Sequence, residues 1–140
     1  MSAGGHREID HTADLGFEIW AATPEELYAE GVLAIAEVCY DRAAVQPSQQ
    51  RPLSVRGSNP EERLVRWLQE IYLMLETEMW LTVAAVGVTV DDDVVEGVLQ
   101  GEPFDSERHT IHTEIKAITY HGLRVENDGR LWRATVVVDV

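Results

Sequence analysis

Two segments of this chain open with the same four-residue pattern, and they constrain the fold more than any other feature. Thr23-Pro24-Glu25-Glu26 and Asn59-Pro60-Glu61-Glu62 each set a capping side chain, a proline and two acids in succession. A Thr or Asn oxygen satisfies amides of the first helical turn, proline fits the first helical position, and Glu26 completes a capping box with Thr23. Behind the first start, Leu27, Ala34, Ile35 and Val38 recur at helical spacing to about Tyr40. Behind the second, Leu64, Trp67, Leu68, Ile71 and Leu75 form an i, i+3, i+4, i+7 stripe, read as a core face in preference to a partner face.

The rest of the chain has β character. Phe17 to Ala21 alternates as a half-buried strand should, and the polar segment Glu8 to Asp14 joins it to a possible first strand. Arg51 to Arg56 reads as a short edge strand. Trp80 to Val90 and Val94 to Gly101 read as antiparallel mates around the turn Asp91-Asp92-Asp93. Glu114 to His121 reads as one further strand. Leu123 to Glu126 and Leu131 to Val138 flank the hairpin signal Asn127-Asp128-Gly129. Residues 1–140 are thus expected to make a single two-layer α+β domain, with both helices on one side of a mainly antiparallel or mixed sheet and Met1 to Gly5 as a loose end. Leu64, Trp67, Leu68 and Ile71 should pack against strand residues such as Ile19.

Charge narrows the function. Twenty-five acidic residues face eleven basic ones, a formal net charge of −14. Nucleic-acid affinity rests largely on Lys and Arg displacing counterions, so direct stable RNA or DNA binding is disfavoured, as is binding to anionic membranes. The acidity either maintains solubility or attracts cations and basic partners. No apolar run approaches the roughly 18 residues of a membrane span, and the start lacks the basic and apolar regions of an export signal. Cytoplasmic residence is the expectation, and the single cysteine, Cys39, suits a reducing compartment and excludes an internal disulfide.

Three polar clusters are candidates for chemistry. The first, Glu8-Ile9-Asp10-His11-Thr12-Ala13-Asp14, offers Asp10 and Asp14 as hard oxygen ligands for Ca²⁺ or Mg²⁺, or else is a polar turn bonded to local backbone. The second is the end of the chain, Val136 to Val140, where an apolar strand stops at Asp139: this carboxylate is either solvated at a frayed end or a ligand held by the strand, and the backbone oxygens of Val140 are further hard donors. The third runs from Glu102 and Asp105 through His109 and His112 to Glu114, Lys116 and His121; Asp105, His109 and His112 are one conceivable transition-metal set. No serine stands in a nucleophile elbow, and no glycine-rich phosphate cradle is present. A metal-dependent phosphoryl-transfer enzyme using Asp14 and Asp139 with His11 or His121, and a chaperone-like binding module, are two functional classes that these clusters leave open.

Together, Asp10-His11-Thr12-Ala13-Asp14-Leu15-Gly16, Thr23-Pro24-Glu25-Glu26, Gly101-Glu102 with Asp105 and His109, Glu114-Ile115-Lys116-Ala117-Ile118-Thr119-Tyr120-His121 and Val138-Asp139-Val140 resemble the archease family, in order and at matching spacing. The resemblance implies an α+β accessory protein, not itself an enzyme, for the RtcB-type RNA ligase of tRNA splicing and RNA repair. Such a protein promotes ligase guanylylation and repeated turnover. The resemblance also implies a divalent metal site, calcium above all, on Asp14, Asp139 and Val140. Lys116 with a neighbouring acid resembles a position needed for activation, and Asp10, His11, Glu102, Asp105, His109, Glu114 and His121 are expected around it. Val140 stands where isoleucine is more usual, a change that a main-chain ligand survives.

Overall fold

The capping residues do what their chemistry requires. Thr23 Oγ1 accepts from the Glu26 amide at 3.1 Å, and Asn59 Oδ1 accepts from the Glu62 amide at 2.8 Å. They start helix α1, Pro24–Cys39, and helix α2, Pro60–Glu78. The computed structural model describes residues 4–10 and 15–140, and for 10, 121 and 122 the backbone alone. The predicted stripe of α2 is buried: Leu64, Trp67 and Leu68 are fully enclosed and Ile71 nearly so. Gly31 of α1 marks where the two helices meet the sheet. A Cβ there would stand 3.2 Å from the Leu68 side chain and 3.6 Å from that of Ile19, so a larger residue would oblige Leu68 to shift by a few tenths of an ångström.

Among the described residues there are seven strands: β1 Gly5–Asp10, β2 Leu15–Ala21, β3 Gln49–Arg56, β4 Trp80–Val90, β5 Val94–Pro103, β6 Ala117–Asn127 and β7 Trp132–Asp139. Every pairing is antiparallel. The strands form two sheets, β1-β2-β7-β6 and β3-β5-β4, where the sequence suggested one. The edges explain the division. Pro52 deprives edge strand β3 of a ladder donor, and β4 carries register shifts at Thr82/Ala84 and Val86/Thr89, so neither edge is suited to extend the other sheet. Both helices pack across the two sheets, with α1 against β2 and β4 and α2 against β6, β4 and β3.

Two local expectations need correction. Gly5 is already paired, opposite Trp20 in β1, and is no loose end. The segments read as Glu114 to His121 and Leu123 to Glu126 are one strand, β6, which begins only at Ala117 and slips register between Thr119 and Arg124. The slip reverses the alternation midway, which is why the sequence reads as two strands. Among the described residues no helix is long and apolar enough to cross a membrane.

Candidate functional site

One end of the four-stranded sheet gathers several of the residues singled out in the sequence. Asp10 lies opposite Leu15 in the β1–β2 pair, and Leu15 lies opposite Val138 in the β2–β7 pair. On the other side of β7, Ile118 lies opposite Val138 and Ala117 opposite Asp139. The Lys116 amide extends this ladder by donating to the Asp139 carbonyl at 2.7 Å. Val136, Val137 and Val138 are buried, and the chain first reaches solvent at Asp139 and Val140. The exposed Asp139 carboxylate, at the end of β7, and the exposed Lys116, one residue ahead of β6, therefore stand on adjoining stretches of backbone. His11 and Asp14 lie outside the described residues. Asp10 and His121 are placed by backbone only, His121 within the irregular stretch of β6.

A second group forms where β5 ends. Gly101 packs so tightly on β4 that a Cβ would fall 1.9 Å from the Leu81 carbonyl oxygen, and this approach buries the next residue, Glu102, at 5% exposure. Arg108 grips that carboxylate with Nη2 at 2.6 Å and Nη1 at 3.2 Å. The Gln46 amide donates to it at 2.6 Å. His109, also buried, accepts from the Asp105 amide at Nδ1 and meets Glu102 at Nε2, 3.1 Å away. Since Nδ1 is the acceptor, Nε2 carries the proton and donates to the carboxylate. The Arg108 guanidinium, with the Gln46 amide and His109 behind it, holds the Glu102 pKa down at about 2 against the opposing effect of burial. Asp105 is also lowered, by the Glu107 amide it caps and by Arg108.

This arrangement is a latch that ties the 104–112 loop to β5 and to the segment after α1. It is not a metal centre. The reading of Asp105, His109 and His112 as transition-metal ligands fails because both ring nitrogens of His109 are already bonded and His112 is exposed, with its backbone on the Cys39 carbonyl. Among the described residues no three His, Cys, Asp or Glu side chains converge on a common point. Arg108, the central cation of the latch, escaped the sequence reading; its i, i+3 spacing from Asp105 was the available signal.

Glu114 and Lys116, both exposed, stand apart from this latch. They line a groove of ≈ 460 Å³ between the last turn of α2 and the 111–116 segment, opposite Tyr72, Glu76 and Met79. The structure thus divides the third sequence cluster: Glu102, Asp105 and His109 lock a loop, while Glu114 and Lys116 lead towards Asp139.

Residues 6–140 match the profile of the Archease protein family. The protein archease of Methanopyrus kandleri is 39% identical over 136 residues, covering 95% of this chain and 97% of its own. That of Sulfurisphaera tokodaii is 32% identical over 134 residues, covering 94% and 96%. Among solved structures, Protein 1598 of Methanobacterium thermoautotrophicum superposes with a TM-score of 0.79 at 28% identity, over 97% of this chain and 99% of that one. An archease from Thermotoga maritima, described as a possible chaperone, shares the fold with a TM-score of 0.66 at 23% identity, over 96% of both chains. With residues 6–140 matched by that profile, this chain belongs to the archease family.

Proposed function

We propose that this chain is a protein cofactor, not itself a catalyst, that raises guanylylation and turnover of an RtcB-type RNA ligase through a divalent cation, calcium foremost. The observation that carries the reading is the pairing of Asp139 with Lys116 at the solvent end of the β7 strand, beside the start of β2. A carboxylate and an ammonium fixed there by backbone bonds can enter another protein's active site without refolding. The acidic surface supports the same reading, since a helper of the ligase need not hold RNA itself.

The donor chemistry suits calcium. Asp139 supplies an exposed carboxylate, Val140 main-chain oxygen, and Asp14 a second carboxylate, all hard oxygen ligands. Such a set does not require the three-side-chain cluster that is absent among the described residues. When bound, the ion would supply positive charge beside the nucleotide phosphates at the ligase centre. Asp139 would orient that charge, and Lys116 would add a second cation next to it. Only about 1.4 kcal/mol of differential stabilisation gives a tenfold rate gain.

The test is multiple-turnover ligation of 2′,3′-cyclic-phosphate and 5′-hydroxyl RNA ends, with substrate in large excess over an RtcB-type ligase. The wild-type chain should raise both guanylylation rate and turnover, and Asp14→Ala, Asp139→Ala and Lys116→Ala should each lose the effect. Unchanged ligase kinetics would sink the reading. Phosphodiester hydrolysis by the chain alone would favour the phosphoryl-transfer alternative, and suppression of unrelated client aggregation the chaperone-like one.

A further inference from the structure

The last turn of α2 ends in an unusual way. Met79 caps it in the left-handed conformation, φ 52 and ψ 41, where glycine or asparagine is the ordinary occupant. It is the one non-glycine residue at positive φ among those described. Its side chain is 42% exposed. A half-exposed apolar side chain on positive-φ backbone carries a conformational cost that glycine at this position would avoid.

Met79 forms one lip of the groove described above, whose floor is Leu75, Ile111 and Ile115. Its rim is acidic, with Glu76 on α2 and Glu114 on the facing segment. The carboxyl end of α2 adds the negative pole of the helix dipole, and no basic residue in the last turn offsets it. Tyr72 registers this field: the hydrogen bond its hydroxyl donates to the Glu76 carboxylate, burial and the charges of Glu76 and Glu114 push its phenol up to about 12. Lys116 closes the groove at the end nearest Asp139, to whose carbonyl its amide is bonded. The groove and the proposed cation site are thus contiguous.

We infer that this groove is the docking site for an apolar side chain carried on a basic segment of the partner protein. The occupant fits by charge, because two carboxylates and a helix C-terminus outweigh the single cation Lys116 at the far end and attract Lys or Arg. It fits by shape, because ≈ 460 Å³ over an apolar floor accepts one or two large side chains and not a folded surface. Methionine at the lip adapts to the side chain it receives. The inference rests on the ligase reading for the identity of the partner. It adds a grip on that partner, separate from the residues that act on its chemistry.

Binding and stimulation are therefore measured separately, with the full chain and a purified RtcB-type ligase. Met79→Gly relieves the strained backbone, so it should melt at a higher temperature than wild type while its affinity for the ligase falls at least tenfold by calorimetry. Glu76→Lys should weaken binding by a similar factor, and the loss should shrink in high salt. In ligation assays both variants should shift the concentration for half-maximal stimulation by the same factor as binding. Wild-type affinity in a folded Met79→Gly and in Glu76→Lys, with stimulation intact, overturns the docking site and leaves the activator reading standing. Binding that depends on Met79 and Glu76 but gives no stimulation keeps the docking site and removes the activator reading. A wild-type dimer that Met79→Gly dissociates overturns the inference in favour of a second copy in the groove.

Discussion

The main-chain amide of Lys116 donates to the main-chain carbonyl of Asp139 at 2.7 Å, so the two residues are joined by backbone while both side chains remain exposed. Side-chain and structural roles are therefore separable at this pair. Lys116→Ala and Asp139→Ala keep the bond and should stay within about 0.5 kcal/mol of wild type in urea denaturation without added metal. Lys116→Pro deletes the donor and should cost about 1 kcal/mol or more. Equal destabilisation by all three would show that the side chains also support the fold.

Glu102 predicts a stability contribution that is confined by pH. Its pKa is lowered from 4.5 to about 2 by Arg108, the Gln46 amide and His109, so its contribution is present above about pH 4.5 and is lost as pH falls through about 2. Glu102→Leu leaves the buried His109 Nε2–H without an acceptor, at a cost of about 1–3 kcal/mol. Urea melts of wild type and variant should differ clearly at pH 6 and converge towards pH 2. A gap that persists at pH 2 would assign the loss to packing.

His6 predicts the opposite dependence. Its ring joins β1 to α1, with Nδ1 on Glu30 and Nε2 on Glu37, which also holds Arg42. Burial opposes the imidazolium charge, yet the bonds to Glu37 and Glu30 outweigh it and raise the pKa above 6.5. A raised value stabilises the fold fully below pH 6.5 and ceases to do so as pH rises through the folded-state pKa. His6→Phe should therefore melt well below wild type at pH 5.5 and close to it at pH 9. Proton NMR of His6 checks the direction independently.

Both helix starts were legible because caps are local. Thr23 and Asn59 each bond three residues ahead, and sequence spacing encodes that geometry directly. The stripe of Leu64, Trp67, Leu68 and Ile71 was legible for the same reason. Strand partnership was not. Nothing near Leu15 announces that it faces Val138, and the division into two sheets depends on edges that only the assembled fold defines. The latch was half legible, since Glu102, Asp105 and His109 stood out as polar residues while their cation, Arg108, looked like an ordinary surface charge. The groove left no sequence signature. The left-handed backbone of Met79 is a property of the assembled helix end, and that residue did not stand out in the sequence.

The metal proposal yields a prediction that does not depend on the ligase. A ligand that binds only the folded state stabilises it by RT ln(1 + [L]/Kd), about 2.7 kcal/mol at a hundredfold excess over Kd. Calcium should therefore raise the melting temperature of the wild-type chain, and a chelator should return it to the metal-free value. Asp139→Ala and Asp14→Ala remove carboxylate donors and should abolish the calcium-dependent shift. Val140→Ala and Val140→Ile should retain it, because that residue is proposed to donate through its main chain. Magnesium should shift the melt less, since it surrenders its hydration shell reluctantly and demands stricter octahedral geometry than two carboxylates and a main-chain oxygen impose. Lys116→Ala separates binding from action. It should keep the calcium shift, or enlarge it by removing a neighbouring positive charge, while losing ligase stimulation. A calcium shift that survives in both aspartate variants would move the ion elsewhere on this acidic surface and detach the cation from the Asp139–Lys116 pair.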